Sequence, residues 1–418
     1  MVYSLSGPDD RIVGSNKEIF LYNSVLEGGQ TFALMNNLDK ISIYNAKSMI
    51  DFSSPRKGRL EAVMTGYVYS KLSKLGIKTN LVGMIEKRYN RGVIEEICIP
   101  YHQSSSPTSK IVTRWMNKPR LGKIGSLYDY SEVAYTAKQV ISGSAENVIL
   151  PFEVIWRDYI IVGVSSCTLS PQRWSIFIAE NDYNRIQTYE QISSMQTGTL
   201  IKLPRPCVEI TTKYELGYKA VQSHQYALKM EIENEDTPYS YANIVEFALR
   251  IGHSIRVMFS KIGIVIPDLK MEIGLECEGE LVLLDVMGPD EARMFLEHKP
   301  TFDFSKQLIA NLFKEYTNWI TLLQKVQAKY GDEWSRVFAD LDLKQPKMNV
   351  LVVSALGTLN QSLTDVLLGI KTTDTLNESV NNLSNTIATV GESGMMFSDD
   401  VDEDYCSQIV KKLELDPK

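Results

Sequence analysis

The chain has 418 residues, 44% of them hydrophobic, enough to bury one large core or two ordinary ones. A formal net charge of −7 argues against a general nucleic-acid coat, which needs a basic surface. Five scattered cysteines with no C-x-x-C pair, beside only four histidines, exclude a zinc ribbon and a disulfide scaffold and point to a reducing compartment.

The first residues, MVYSLSGPDDR, carry neither a basic nor an apolar leader segment. No apolar run approaches the roughly 20 residues of a spanning helix, so a cytoplasmic protein with no membrane partner is expected. Val13 to Tyr22, VGSNKEIFLY, is a small-residue turn ending in Lys17 and leading into an apolar strand. Such a turn can fold its N–H groups over phosphates with the lysine as a point charge, or serve as a plain hairpin corner. Asp39 to Asn45, DKISIYN, follows a short apolar run at Phe32–Leu34. Ser53 to Arg59, SSPRKGR, precedes a helix signalled by the stripe Leu60, Val63, Met64, Tyr67, Leu72 and Leu75 and stopped by Gly76.

Lys110, Arg114, Lys118, Arg120 and Lys123 form a basic stretch around Trp115. It reads as a solvated loop in preference to a site for a phosphorylated or single-stranded partner. Leu150 to Tyr159, LPFEVIWRDY, is β-rich and ends near Arg157, with Gly163 and Ser165 beyond. Leu203 to Gly217 reads LPRPCVEITTKYELG and contains Lys213. Ile244, Phe247, Ala248, Ile251, Ile255 and Met258 share one face of a helix that Gly263 closes.

From Asp268 to Ile273 the chain alternates strictly, with Leu269, Met271 and Ile273 on one side and Asp268, Lys270 and Glu272 on the other. An apolar run, Leu281 to Leu284, ends in Asp285. With Glu278-Gly279 as a two-residue loop, Cys277 pairs with Glu280 and Glu272 stands opposite Asp285. Opposed residues have Cβ atoms roughly 4.5–5.5 Å apart. Two carboxylates that close repel unless a cation sits between them, and Mg²⁺ shared with nucleotide phosphates is one such arrangement. The same alternation fits a solvated face with an ion pair to Lys270. Gly288-Pro289-Asp290-Glu291-Ala292-Arg293 then turns an arginine back toward the pair.

Beyond this, Ser305 to Tyr330 reads as one long amphipathic helix. Asn349–Leu356 is an apolar run with strand character. Thr375 and Glu378 form a capping box before a narrow stripe at Leu376, Val380, Leu383 and Ile387 that suits a docking helix. Asp399 to Asp404 lacks the glycine and glutamate of a calcium loop and reads as a solvated acidic tail.

In their order, these segments resemble the SAICAR synthetase family, which joins aspartate to a carboxylated aminoimidazole ribotide. The hairpin is similar to its K-x-E-x-G, L-x-D and P-D-x-x-R signature, and Gly14 and Lys17 match its phosphate-covering turn. Asp39 and Ser42 match D-R-[IT]-S-A-F-D, Arg157 and Gly163 its R-x-Y-x-x-G-S with one extra residue between them and Ser165 or Ser166 substituting for its serine, and Leu203 to Gly217 its third long motif. The departures are Ser15, Lys40 and Asn45, Val164 where serine is expected, and Tyr218-Lys219-Ala220 in place of His-Asp-Glu.

The resemblance implies an α+β fold, with a small antiparallel sheet lid (1–83), a larger α+β domain (149–300) and ATP in the cleft between. Residues 84–148 would be an insertion, 301–331 a late family-like helix, and 332–418 an extra, mostly helical extension. It implies ATP and Mg²⁺ as cofactors, with Glu272 and Asp285 holding the metal and Gly14 and Lys17 the nucleotide. Lys17, Lys213 and Lys270 would be the catalytic phosphate contacts. Asp39, Ser42, Arg157, Ser165 and Arg293 would bind substrate. The reaction implied is phosphorylation of the ribotide carboxylate by ATP, then attack by the L-aspartate amine on the acyl phosphate. A ligase or kinase with a changed acceptor, and a non-catalytic nucleotide-binding descendant, stay open beside it. The extension leaves room for a homo-oligomer or a protein partner.

Overall fold

The computed structural model describes residues 10–14, 16–26, 30–41, 52–90, 92–119, 122–124, 127–129, 131–143, 147–183, 186–213, 240–330, 333–341, 343, 345–398, 400 and 402–415. The fold is α+β, and the chain divides into two compact units. Unit 1 gathers residues 1–67, 82–113 and 304–418; unit 2 gathers 68–81 and 114–303.

Unit 1 is built on a six-stranded sheet. Its strands are β1 (Asp10–Val13), β2 (Lys17–Leu26), β3 (Gln30–Asn37), β4 (Leu81–Asn90), β5 (Val93–Ile99) and β6 (Pro107–Arg114), in the spatial order β1-β2-β3-β6-β4-β5. Tyr22, Leu34, Ile85, Cys98 and Val112 pack together as one of its cores. The basic stretch is therefore not a loop at its start, because Lys110 and Arg114 lie on β6. Lys110 pairs with Glu96 of β5 at 2.7 Å, reaching across β4, which lies between their strands.

The helix Lys57–Lys74 forms as the stripe predicts, and Gly76 ends it at φ 72°. Its start is held by Asp39, whose carboxylate accepts from Arg56 N at 3.0 Å and Gly58 N at 2.9 Å. A Cβ on Gly58 would lie 2.2 Å from the Asn37 carbonyl oxygen, so only glycine lets the helix approach β3.

The C-terminal segments depart from expectation. Ser305 to Tyr330 is two helices, Lys306–Tyr316 and Asn318–Tyr330, broken at the extended Thr317. Asp400 holds the break by accepting from Asn318 N at 2.9 Å, so part of the acidic stretch is a cap and not a solvated tail. Asn349–Leu356 is not a strand. It begins the helix Val350–Leu367, which Asn349 caps by accepting from Leu351 N. By length and a mean hydropathy of 1.3 this helix could cross a membrane, an exception to the expected absence of such a run, yet 67% of it is buried in the protein. In the helix Thr373–Glu392 the cap position falls on Thr372 and not on Thr375. Its stripe is spent internally: Leu376, Val380 and Leu383 are fully buried, and Ser379 bonds Ser362 of the preceding helix.

Unit 2 is built on a second antiparallel sheet. Its strands are β7 (Val148–Ile149), β8 (Phe152–Ile161), β9 (Leu200–Thr212), β10 (Asp268–Leu275) and β11 (Leu281–Leu284). β10 is the hub, pairing with β7, β8 and β11, while β9 pairs with β8. The helix Tyr241–Ser260 covers the apolar face, and Gly252 sits on the Trp156 ring, where a Cβ would come within 2.3 Å. Ser240 caps this helix, and Gly263 turns the chain beyond it at φ 69°.

Candidate functional site

The β7–β11 registers decide which side chains share a face. Glu153 faces Thr211, Ile155 faces both Glu209 and Lys270, and Arg157 faces both Cys207 and Asp268. Directly opposed residues lie on one side of a sheet, so Glu153, Arg157, Glu209, Asp268, Lys270 and Glu272 share the face away from Trp156. Period-two alternation predicted this for β10.

The charges on this face pair diagonally. Lys213, just past β9, pairs with Glu272, and Lys270 donates to Glu153 at 3.2 Å. Arg157 is 3% exposed and is held between Glu209 and Asp268, the latter at 2.7 Å. Asp268 also accepts from Arg293. Burial disfavours both cations, but the acids win: Glu209 and Asp268 hold Arg157 above its usual range, and Glu153, Glu291, Glu272 and Asp285 do so for Lys270. Beyond Glu272 the same face turns apolar, where Met116, Val282 and Leu284 pack with Ile149.

The hairpin differs from the expected one by a residue. Glu276 N donates to Glu280 O at 3.0 Å, and the loop is Cys277–Gly279 with Gly279 at φ 82°. Glu272 therefore faces Leu284 and not Asp285. The wider loop is anchored from outside, by Asn147 Oδ1 on Cys277 N and by Arg114 on Glu276 at 2.9 Å. Asp285 follows the last residue of β11 at φ 69°, a left-handed conformation costing a non-glycine residue on the order of 1–3 kcal/mol.

Gly288 O accepts from Glu291 N at 3.1 Å and Ala292 N at 3.0 Å, making the turn that the Gly-Pro-Asp spacing predicts. It delivers Arg293 to Asp268, the first residue of β10, and not to Glu272 in the middle of that strand. Ser165 is 1% exposed, and its Oγ accepts from Ile161 N at 2.9 Å. That hydroxyl braces the turn after β8.

In unit 1, Gly14 N donates to Lys17 O at 2.8 Å, closing the predicted turn, and Asp39 caps a helix as described. Ser42 and Tyr218-Lys219-Ala220 lie outside the described residues. Sequence reasoning missed Glu153 and Glu209, and placed Asp268 on the charged face without giving it a role. Counting back in twos from Arg157, Lys213 and Lys270 reaches all three, so the signal was present.

Among the described residues no group of three or more His, Cys, Asp or Glu is set to hold a metal ion. The donors around Lys270 are carboxylates, which suit a hard oxygen-seeking cation that completes its shell from water and phosphate. Glu272 and Asp285 fit Mg²⁺ on that chemistry.

The chain matches the SAICAR synthetase family over residues 14–326. A protein of Archaeoglobus fulgidus described as a candidate phosphoribosylaminoimidazole-succinocarboxamide synthase is 24% identical over 276 residues, 66% of this chain and 71% of its own length. The phosphoribosylaminoimidazole-succinocarboxamide synthase of Pyrococcus furiosus is 28% identical over 120 residues, 27% of this chain. The chain spans about half the length of that relative, 50%. The SAICAR synthase of Saccharomyces cerevisiae complexed with SAICAR aligns in structure at 16% identity and a TM-score of 0.44, over 92% of this chain and 98% of its own.

Proposed function

The chain belongs to the SAICAR synthetase family, and from that membership we propose that it is an ATP-dependent ligase of purine biosynthesis joining L-aspartate to carboxyaminoimidazole ribotide. The family match over residues 14–326 carries the reading, and the charged face of the unit 2 sheet supports it.

Glu272 and Asp285 would hold Mg²⁺, which when bound offsets charge on the nucleotide phosphates. Lys213 and Lys270 present ammonium groups on the same face for phosphate oxygens. Arg293, 23% exposed at its side chain, would bind the ribotide, as the family signature implies. Arg157 is buried between two acids and acts through Asp268, fixing the carboxylate that orients Arg293. ATP's γ-phosphoryl group goes to the ribotide carboxylate, and the aspartate amine displaces phosphate from the acyl phosphate. This chemistry needs no side-chain nucleophile.

A second reading, the same chemistry with a changed acceptor, is favoured by Tyr218-Lys219-Ala220 replacing two acids with a cation and a methyl. The test is ADP release with Mg²⁺-ATP, carboxyaminoimidazole ribotide and aspartate, omitting each in turn. Release that needs all three and is lost in Glu272→Ala, Asp285→Ala and Arg293→Ala supports the ligase. Release that ignores the ribotide or aspartate supports the changed acceptor. ATP binding without release removes both.

A further inference from the structure

We propose that Tyr69 is a positioning residue for Asp285, holding the end of β11 in the left-handed turn that carries this carboxylate out of the strand. The metal-binding consequence rests on the nucleotide reading given above.

Leu284 is the last residue of β11 and shares its face with Glu272. A regular pleat would send the next side chain to the opposite face, among Met271 and Ile273. Asp285 instead takes φ 69°. Successive carbonyls along a strand point in opposite directions. Here the carbonyls of Leu284 and Asp285 converge on one atom, lying 2.7 Å and 3.0 Å from Tyr69 Oη. Two consecutive carbonyls can meet one hydroxyl only if the residue between them leaves the extended region, and Asp285 is that residue.

Tyr69 is 2% exposed on the helix Lys57–Lys74. Its phenol has a single proton for both carbonyls. The hydroxyl ties the backbone of Leu284 and Asp285 to the helix, and the ring is buried. Losing the hydroxyl alone moves the carboxylate while the packing remains.

The test compares wild type, Tyr69→Phe and Leu72→Val, a core change on the same helix, for Mn²⁺ binding in the presence of ADP, read by electron paramagnetic resonance beside thermal melting. Tyr69→Phe should weaken Mn²⁺ binding roughly 10- to 100-fold, the range seen when a ligand's supporting partner is lost, while Leu72→Val lowers only the melting temperature. Unchanged Mn²⁺ affinity in Tyr69→Phe, or an equal loss in Leu72→Val, overturns the proposal. If the wild type itself binds no Mn²⁺ with ADP, the nucleotide reading fails, and a crystal structure of Tyr69→Phe decides: Asp285 leaving the left-handed region supports the tie, and Asp285 staying there overturns it. If Tyr69→Phe does not fold, adding Asp285→Gly, which removes the left-handed strain, restores folding under the proposal and fails to do so otherwise.

Discussion

Lys213 reaches across β8 to pair with Glu272 on β10, so a cation already sits on the carboxylate proposed to hold metal. An incoming divalent ion must displace it. A partly exposed pair of this kind is worth up to about 1 kcal/mol, or about fivefold in affinity. Lys213→Met should therefore tighten Mn²⁺ binding by about that factor without nucleotide and weaken ATP binding, both measured by titration calorimetry. Weaker Mn²⁺ binding without nucleotide would contradict the displacement.

Asp268 serves two guanidiniums, one of them buried. Removing its charge leaves Arg157 with Glu209 as its ion-pair partner among the described residues, and breaking a buried pair costs about 3–5 kcal/mol. Asp268→Asn should lose about that much in urea unfolding. Glu209→Gln should lose less, because Glu209 is 24% exposed at its side chain.

Gly252 is required by the Trp156 ring rather than by backbone conformation. A methyl there must displace a fully buried indole. Gly252→Ala should cost about 1–3 kcal/mol, the usual price of overpacking, seen as a lower melting temperature. Gly263→Ala acts on the backbone, because a side chain at φ 69° is strained with nothing nearby to clash.

The extension is part of unit 1's core. Asn360 Nδ2 lies 2.9 Å from Ser54 Oγ and 2.9 Å from Pro55 O, bracing the turn before the helix Lys57–Lys74. Tyr101 donates to Leu367 O at 3.0 Å, and the Phe313 and Phe397 rings pack tilted at 52° with centroids 4.6 Å apart. Asn360→Ala should destabilise by about 1–3 kcal/mol. A chain ending at residue 341 should lose the cooperative melt of unit 1, whereas a dispensable tail would leave it intact.

Cys277 is exposed, and the other four cysteines are buried. At pH 8 a thiol reagent should modify Cys277 first, and Cys277→Ser should remove the fast phase. Burial pushes Cys98 from an ordinary value near 9 up to about 11, and Cys167 and Cys207 up to about 12. The unfolded thiols ionise first, so stability is full below pH 9 and falls as pH rises from there toward 12. A flat stability profile over that interval would contradict the burial of these thiols.

Local features were legible. The alternation at Asp268–Ile273 placed Lys270 and Glu272 on the right face of β10, because a period of two is a property of the strand itself. The stripe of Tyr241–Ser260 and the stops at Gly76 and Gly263 were equally local. The hairpin register was not. Two- and three-residue loops both suit Cys277-Glu278-Gly279, and the bonds from Asn147 and Arg114 select the wider one. That single residue separates a Glu272–Asp285 pair from Glu272 facing Leu284.

By itself the sequence determined the charged alternation of β10, the helix stripes, the turn that returns Arg293 to the sheet, and the family to which the chain belongs. Tertiary structure alone decided that Arg157 is buried between Glu209 and Asp268, that Asp39 caps a helix, and that Val350–Leu367 is a core helix. Each of these depends on partners 17 or more residues away in the chain, as Arg157 does on Asp268 at a separation of 111. Periodicity reports what a segment can bury, and only the fold supplies what it is buried against.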